Sequence, residues 1–262
     1  MEFTHLLFDL TNDGIATVTF NRPEARNAIN MPMRHDLKAL GERLMNDNAI
    51  KVIIFTGAGD EAFSAGGDIS HFEQEWLTPE FRVHGHLLTN FFNLLEDLEK
   101  PVIAAINGVA TGAGLQLAMA SDLRIASEQA SFGFRENFLN LIPGHGGTVR
   151  LVKLVGLAKA KELIFMGDFI SAQQARAIGL VNWVAPHGSI LEEAQALAQK
   201  LLRRAPQSLG LVKRLLLAAA ETDKASALFL ESLAQSILIK TEDHREGLRA
   251  FREKRKPKFK GT

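Results

Sequence analysis

The sequence predicts an α/β fold with stacked parallel strands, closed by an all-helical C-terminal region. Apolar runs at 52–55 and 102–106 read as buried strands. Stretches with helical spacing separate them, and a strand, helix, strand, helix order is how parallel sheets are built. From Ser189 onward the periodicity is helical only.

Each element follows from local pattern. Residues 5–10 and the alternation of Ala16, Val18 and Phe20 with Thr17 and Thr19 flank Asn12-Asp13-Gly14, which predicts a β-hairpin. Asn21-Arg22-Pro23 ends the second strand. A helix over 32–45 follows, with Leu37, Leu40 and Leu44 on one face, and then a strand over 51–56. The alternation continues through the strand at 102–106, a helix opening at Gly112 and a strand at 123–125. Beyond Ser189, Ala194, Leu197, Ala198 and Leu201 make one apolar stripe and Leu211, Leu215 and Leu216 another. No linker or low-complexity stretch intervenes. The chain is therefore divided into a core over 1–188 and a helical subdomain over 189–262 that shares it.

Composition narrows the function. The 262 residues suffice for a sizeable core. Thirty acidic and thirty basic residues cancel, which argues against nucleic acid or an anionic membrane surface as partner. Without cysteine there is no disulfide, thiolate nucleophile or zinc–cysteine site. His84 and His86, two apart in a helical stretch, point to different faces, so no metal site is expected. No stretch reaches the ~18 apolar residues of a membrane span, and the N-terminus lacks the pattern of a secretion signal; the expectation is a soluble, cytoplasmic protein. A dinucleotide fingerprint, a phosphate-binding P-loop and a G-x-S-x-G elbow are all missing.

Two glycine-rich turns stand out. Residues 107–122, NGVATGAGLQLAMASD, follow an apolar strand and lead into a helix, with Gly108, Gly112 and Gly114 between. Such a turn leaves backbone N–H groups unpaired at a helix N-terminus, where the dipole adds partial positive charge. Alone, the stretch reads either as an anion site or as a tight strand-to-helix turn. The second turn, FSAGGDI at 63–69, also follows a strand, carries Gly66 and Gly67, and places Asp68 to cap a following helix. Two donors converging on one developing oxyanion form the site used for ester and thioester carbonyls, each contributing on the order of 3 kcal/mol.

FSAGGDI, then IAAINGVATGAG, then IPGHGGT with a basic residue after it, in this order and spacing, resembles the enoyl-CoA hydratase/isomerase or crotonase family. The likeness runs from Asn21-Arg22-Pro23 to the basic tail. It implies a spiral of ββα turns with a C-terminal helical region that builds trimers and hexamers. It also implies that the oxyanion donors are the N–H groups of Gly67 and Ala113. Ala65, Gly67, Asp68 and Ile69 then line the coenzyme A thioester, which is part of the substrate and not a resident cofactor. Phe251 and Lys254 would reach the CoA adenine and phosphates of a neighbouring subunit. Ser70 departs from the lysine that many hydratases of the family use for a CoA phosphate.

The resemblance also assigns the chemistry. Glu136, in SFGFRENF, stands where family enzymes place the glutamate that moves the proton beside the thioester. Gln116 stands where the hydratases carry a second glutamate, and an amide orients water but accepts no proton at neutral pH. His145, in IPGHGG, occupies a position where some relatives place a catalytic acid, and its ordinary pKa allows proton exchange near neutrality. It reads either as catalytic or as structural. One carboxylate suits proton shuttling, so double-bond isomerisation of an enoyl-CoA is the first expectation. Hydration by Glu136 and His145 with Gln116 orienting water is the second, and a carbon–carbon hydrolase or decarboxylase the third. A non-catalytic binding subunit fits the retained Glu136 less well.

Overall fold

A computed structural model describes residues 3–73, 75 and 77–262, with His84 described by its backbone alone. The expected hairpin is β1 (Leu6–Leu10) and β2 (Ile15–Phe20), antiparallel, with Leu6 opposite Phe20 and Leu10 opposite Ala16. Parallel strands extend it: β3 (Val52–Gly57), β5 (Val102–Ile106), β7 (Leu123–Ser127) and β10 (Trp183–Ala185). The six-stranded sheet runs β1-β2-β3-β5-β7-β10. Both its faces are covered, which is why β3 from Val52 to Phe55 and all of β5 are apolar. Ala16, Val18, Phe20, Ile53, Phe55, Ala104 and Ile106 face the main core. Their alternates Ile15, Val52, Ile54, Ile103 and Ala105 face the other way.

A second sheet of short strands, β4 (Ala62–Ser64), β6 (Val109–Thr111), β8 (Ser131–Gly133) and β9 (Ile170–Ser171), runs in that order. In each turn of the spiral the chain leaves one strand in the first sheet, one in the second, and then a helix. The pairs are β3 and β4, β5 and β6, β7 and β8. The sequence pattern alone runs the strand before each glycine turn straight into it. Three-residue strands carry too few positions for a period to show, so β4, β6 and β8 were not separated.

The core helices are α1 (Met31–Asn46), α2 (Thr78–Asp97), α3 (Gly112–Ala120), α4 (Gly147–Met166) and α5 (Ala172–Ala177). In α1, Asn30 caps the start by accepting from the Met33 N–H at 3.0 Å, and Pro32 sits in the first turn. Met33, Leu37, Leu40 and Leu44 are fully buried, the face the spacing predicts. By contrast α3 is buried on all sides, including Gln116, so its inward surface is wider than one stripe.

The C-terminal helices are α6 (Ile190–Leu201), α7 (Pro206–Ala219), α8 (Lys224–Leu238) and α9 (Glu242–Arg252). Ile190, Ala194 and Ala198 of α6 close the second face of the large sheet. Of the stripe expected in α7, Leu211 and Leu215 are half-buried, but Leu216 is 67% exposed and the fully buried positions are Gly210 and Lys213. Lys213 is drawn inward because Nζ donates to the carbonyls of Leu95 at 2.6 Å and Lys100 at 3.2 Å and to Asp122 Oδ2 at 2.8 Å. Among the described residues no helix is long and apolar enough to cross a membrane.

Candidate active site

The first turn is pinned from below. Ser64 Oγ donates to the Asn27 carbonyl at 2.8 Å and accepts from the Gly66 N–H at 3.2 Å. The Ile29 N–H reaches the Gly66 carbonyl at 2.7 Å, and the Asp68 N–H reaches the Ile29 carbonyl at 3.1 Å. In this one-residue parallel bridge between Ile29 and Gly67, the partner takes the groups on either side of Gly67. The Gly67 N–H therefore points away from Ile29. Asp68 accepts from Arg22 Nη1 at 2.8 Å and from the Ser70 N–H at 3.2 Å, capping a 3-10 turn at Ile69–His71. Hydrogen bonding to Arg22 holds its carboxyl below the usual range. Both Asp68 oxygens thus serve the turn, while Ile69 is exposed and Ala65 half-buried.

The second turn lies against the first. Thr111 Oγ1 donates to the Gly133 carbonyl at 2.8 Å and makes no cap to α3, so the opening N–H groups of that helix have no side-chain acceptor. Gly66 has φ +94, and a Cβ there would lie 2.9 Å from the Thr111 carbonyl oxygen and 3.3 Å from the Ala113 nitrogen. Gly112 has φ +52, and its Cβ would lie 3.6 Å from Glu136 Oε1. Glycine at these two positions lets the turns and the carboxylate share one small space.

Glu136 opens a 3-10 turn at Glu136–Leu139 after β8. Its Oε1 accepts from Gln116 Nε2 at 3.0 Å. Its Oε2 is buried with no hydrogen-bond partner among the described residues. Burial raises its carboxyl above the usual range, with the Gln116 bond opposing in part. Gln116 lies one helical turn beyond Gly112 and is 1% exposed. Its Oε1 accepts from the His145 backbone N–H at 2.8 Å, so the amide is held at both ends and the orientation is set by that N–H.

His145 is brought to the site by its backbone. Its ring turns to α2, with Nδ1 3.2 Å from Thr89 Oγ1 and an edge-on contact to Phe92 at 6.2 Å. Burial, with the charges of Arg34 and His71 adding to it, pushes its pKa down to about 4. The imidazole is neutral at pH 7, which corrects the expectation that it exchanges protons near neutrality. Reasoning from sequence missed Arg34, 2% exposed on α1. The available signal was its register three residues before Leu37, on the flank of the apolar face.

Phe251, 84% exposed, and Lys254 lie at the end of α9 and make no hydrogen bond or ion pair to either turn. The basic tail is not a free solvated stretch. Glu246 accepts from Arg249 and Arg255, and Asp243 accepts from the Lys260 and Gly261 N–H groups at 2.7 and 2.8 Å. Among the described residues no three His, Asp or Glu side chains gather as metal ligands; the side chain of His84 lies outside them.

A family model described as enoyl-CoA hydratase/isomerase matches residues 10–262. The short-chain-enoyl-CoA hydratase of Clostridium acetobutylicum is 43% identical over 92% of each chain. The crotonyl-CoA hydratase of Syntrophomonas wolfei is 40% identical over 94% of each. A crystal structure of an enoyl-CoA hydratase from Bacillus anthracis superposes with a TM-score of 0.94 at 36% identity, covering 99% of this chain and 100% of that one. The two-sheet spiral, with a carboxylate beside two glycine turns, is thus the crotonase fold, a scaffold of acyl-CoA enzymes. This chain belongs to the enoyl-CoA hydratase/isomerase family.

Proposed function

We propose that the protein moves the double bond of an enoyl-CoA through a thioester enolate. The observation that carries this is the state of the two polar groups facing the turns: Glu136 has a free buried oxygen, whereas both ends of the Gln116 amide are occupied. In a 3-enoyl thioester the carbonyl oxygen accepts from the N–H groups of Gly67 and Ala113. Glu136 takes a proton from C2, and the electron pair moves into the thioester oxygen as a dienolate. The protonated Glu136 returns the proton at C4, leaving the double bond between C2 and C3. A carboxyl raised above its usual range is matched to both halves of this transfer. No resident cofactor takes part, and CoA is the handle of the substrate.

A second reading, hydration, is favoured by the hydratase names of the Clostridium and Syntrophomonas relatives. Gln116 accepts no proton, and the His145 ring, its basicity lowered by burial and its Nδ1 turned to Thr89, leaves Glu136 as the one well-placed acceptor. Gln116→Glu separates the two. A second carboxylate beside Glu136 pushes one pKa upward, leaving one acid and one base. The variant is expected to hydrate a 2-enoyl-CoA at least about tenfold faster relative to isomerisation, the scale of one added acid–base group. A folded variant with an unchanged ratio removes Gln116 as the determinant of reaction type.

The helical region at 189–262 is proposed to supply subunit contacts and to lend Phe251 and Lys254 to a neighbour's CoA, in a homotrimer or a dimer of trimers. Exposed apolar side chains on α4, α7 and α8, among them Phe165, Met166, Leu216 and Phe229, support this. Lys254→Ala is then expected to raise KM for CoA esters severalfold at low salt with little change in kcat, an effect that shrinks as salt is added. A single-chain mass in solution together with an unaltered KM contradicts it.

A further inference from the structure

Among the described residues Arg34 is a buried cation without a counterion. Its side chain is 2% exposed, makes no ion pair and donates no hydrogen bond among the described residues, and Nε is fully enclosed without an acceptor. An uncompensated buried guanidinium is strongly disfavoured, and Arg keeps its charge where other groups would neutralise. Such a residue points to an anion supplied from outside the chain.

Two paths lead from the proposed oxyanion donors to this residue. From Gly67, Phe72 lies against the turn, 3.3 Å from where a Cβ would stand, and its ring meets His71 at 5.4 Å. From Ala113, α3 rises one turn to Gln116, whose amide holds the His145 backbone. Helix α1 begins just after Ile29, which is bridged to Gly67, and Arg34 lies in its first turn; its charge, with that of His71, helps to lower the His145 pKa. On the proposed placement of the thioester, an acyl chain leaving the donors past Glu136 and Gln116 is directed toward this group. The CoA portion leaves on the other side of the thioester, so its phosphates do not compete for an enclosed guanidinium.

We infer that Arg34, with His71 and His145 beside it, holds a carboxylate at the far end of the acyl chain, so that the preferred substrates are CoA monothioesters of dicarboxylic acids. This deepens the proposed function and rests on its placement of the thioester. Charge-assisted hydrogen bonds from a planar guanidinium suit a carboxylate geometrically.

The test is calorimetric binding of two unreactive five-carbon thioesters, glutaryl-CoA and valeryl-CoA, to the full-length protein. Glutaryl-CoA is expected to bind at least about tenfold tighter, as hydrogen bonds to a buried charge imply, and Arg34→Met should erase the difference. The melting temperature of free Arg34→Met should equal or exceed the parent's, since an unpaired charge is removed; a structural role predicts the reverse. Arg34→Gln is the companion if the methionine variant does not fold. Equal affinity for the two thioesters in the parent, or loss of the fold in both variants, overturns the inference. A glutaryl preference without any double-bond migration leaves the acyl subsite standing and removes the isomerase reading instead.

Discussion

Glu136→Gln is expected to lower kcat by about 10²–10⁴-fold with KM nearly unchanged, because the amide keeps shape and hydrogen bonding but cannot carry the proton. The same substitution should stabilise the fold. Burial raises the Glu136 carboxyl in the folded protein, so the folded state binds this proton more tightly than the unfolded chain does. Below the unfolded pKa both states are protonated and the residue imposes no penalty. As pH rises through the folded value, the ionised carboxylate becomes a cost that glutamine does not have. The melting temperature of the variant should therefore exceed the parent's at pH 8, with the gap closing toward pH 4. The acid limb of kcat/KM in the parent should lie above the ~4.3 of an ordinary glutamate. Near-parental kcat in the glutamine variant would move the proton transfer elsewhere.

Gly66→Ala tests the donor turns, whose backbone N–H groups only proline would remove, at the cost of the turn's own conformation. The added methyl would lie 2.9 Å from the Thr111 carbonyl and 3.3 Å from the Ala113 nitrogen, so the turns must part for it to fit. Its φ of +94 adds strain of about 1–2 kcal/mol for a residue with a side chain. Loss of about 10²–10³-fold in kcat is expected, the scale of one lost oxyanion donor. Gly188→Ala is the control, since Gly188 has φ +82 with nothing within 4 Å of a Cβ. It should carry the strain without the catalytic loss. Equal kcat in the two variants would remove the turns from the chemistry.

Much of the scaffold was readable because buried parallel strands need apolar side chains at every position, and β3 and β5 show such runs. The hairpin, α1 and the helical character of the chain beyond Ser189 followed from turn residues and spacing. What stayed hidden depends on contacts distant in sequence. The strands β4, β6 and β8 are defined by pairing with one another across dozens of residues. The inner face of α7 is set by carbonyls and a carboxylate that capture Lys213, against the apolar stripe. At the site, Glu136, Gln116 and the glycines were legible as residue types in motifs. The link from Gln116 to the His145 backbone, and the loss of that ring's basicity beside Arg34, required the packed structure.

The central claim, that one carboxylate moves a proton across a thioester enolate, meets its most direct test in a paired assay. Purified protein is given a 3-enoyl-CoA and, separately, the matching 2-enoyl-CoA, and products are followed by mass. Rapid conversion of the 3-enoyl to the isobaric 2-enoyl thioester is expected, outpacing any product one water heavier. Fast appearance of the heavier product from the 2-enoyl thioester, with no migration from the 3-enoyl, would contradict it.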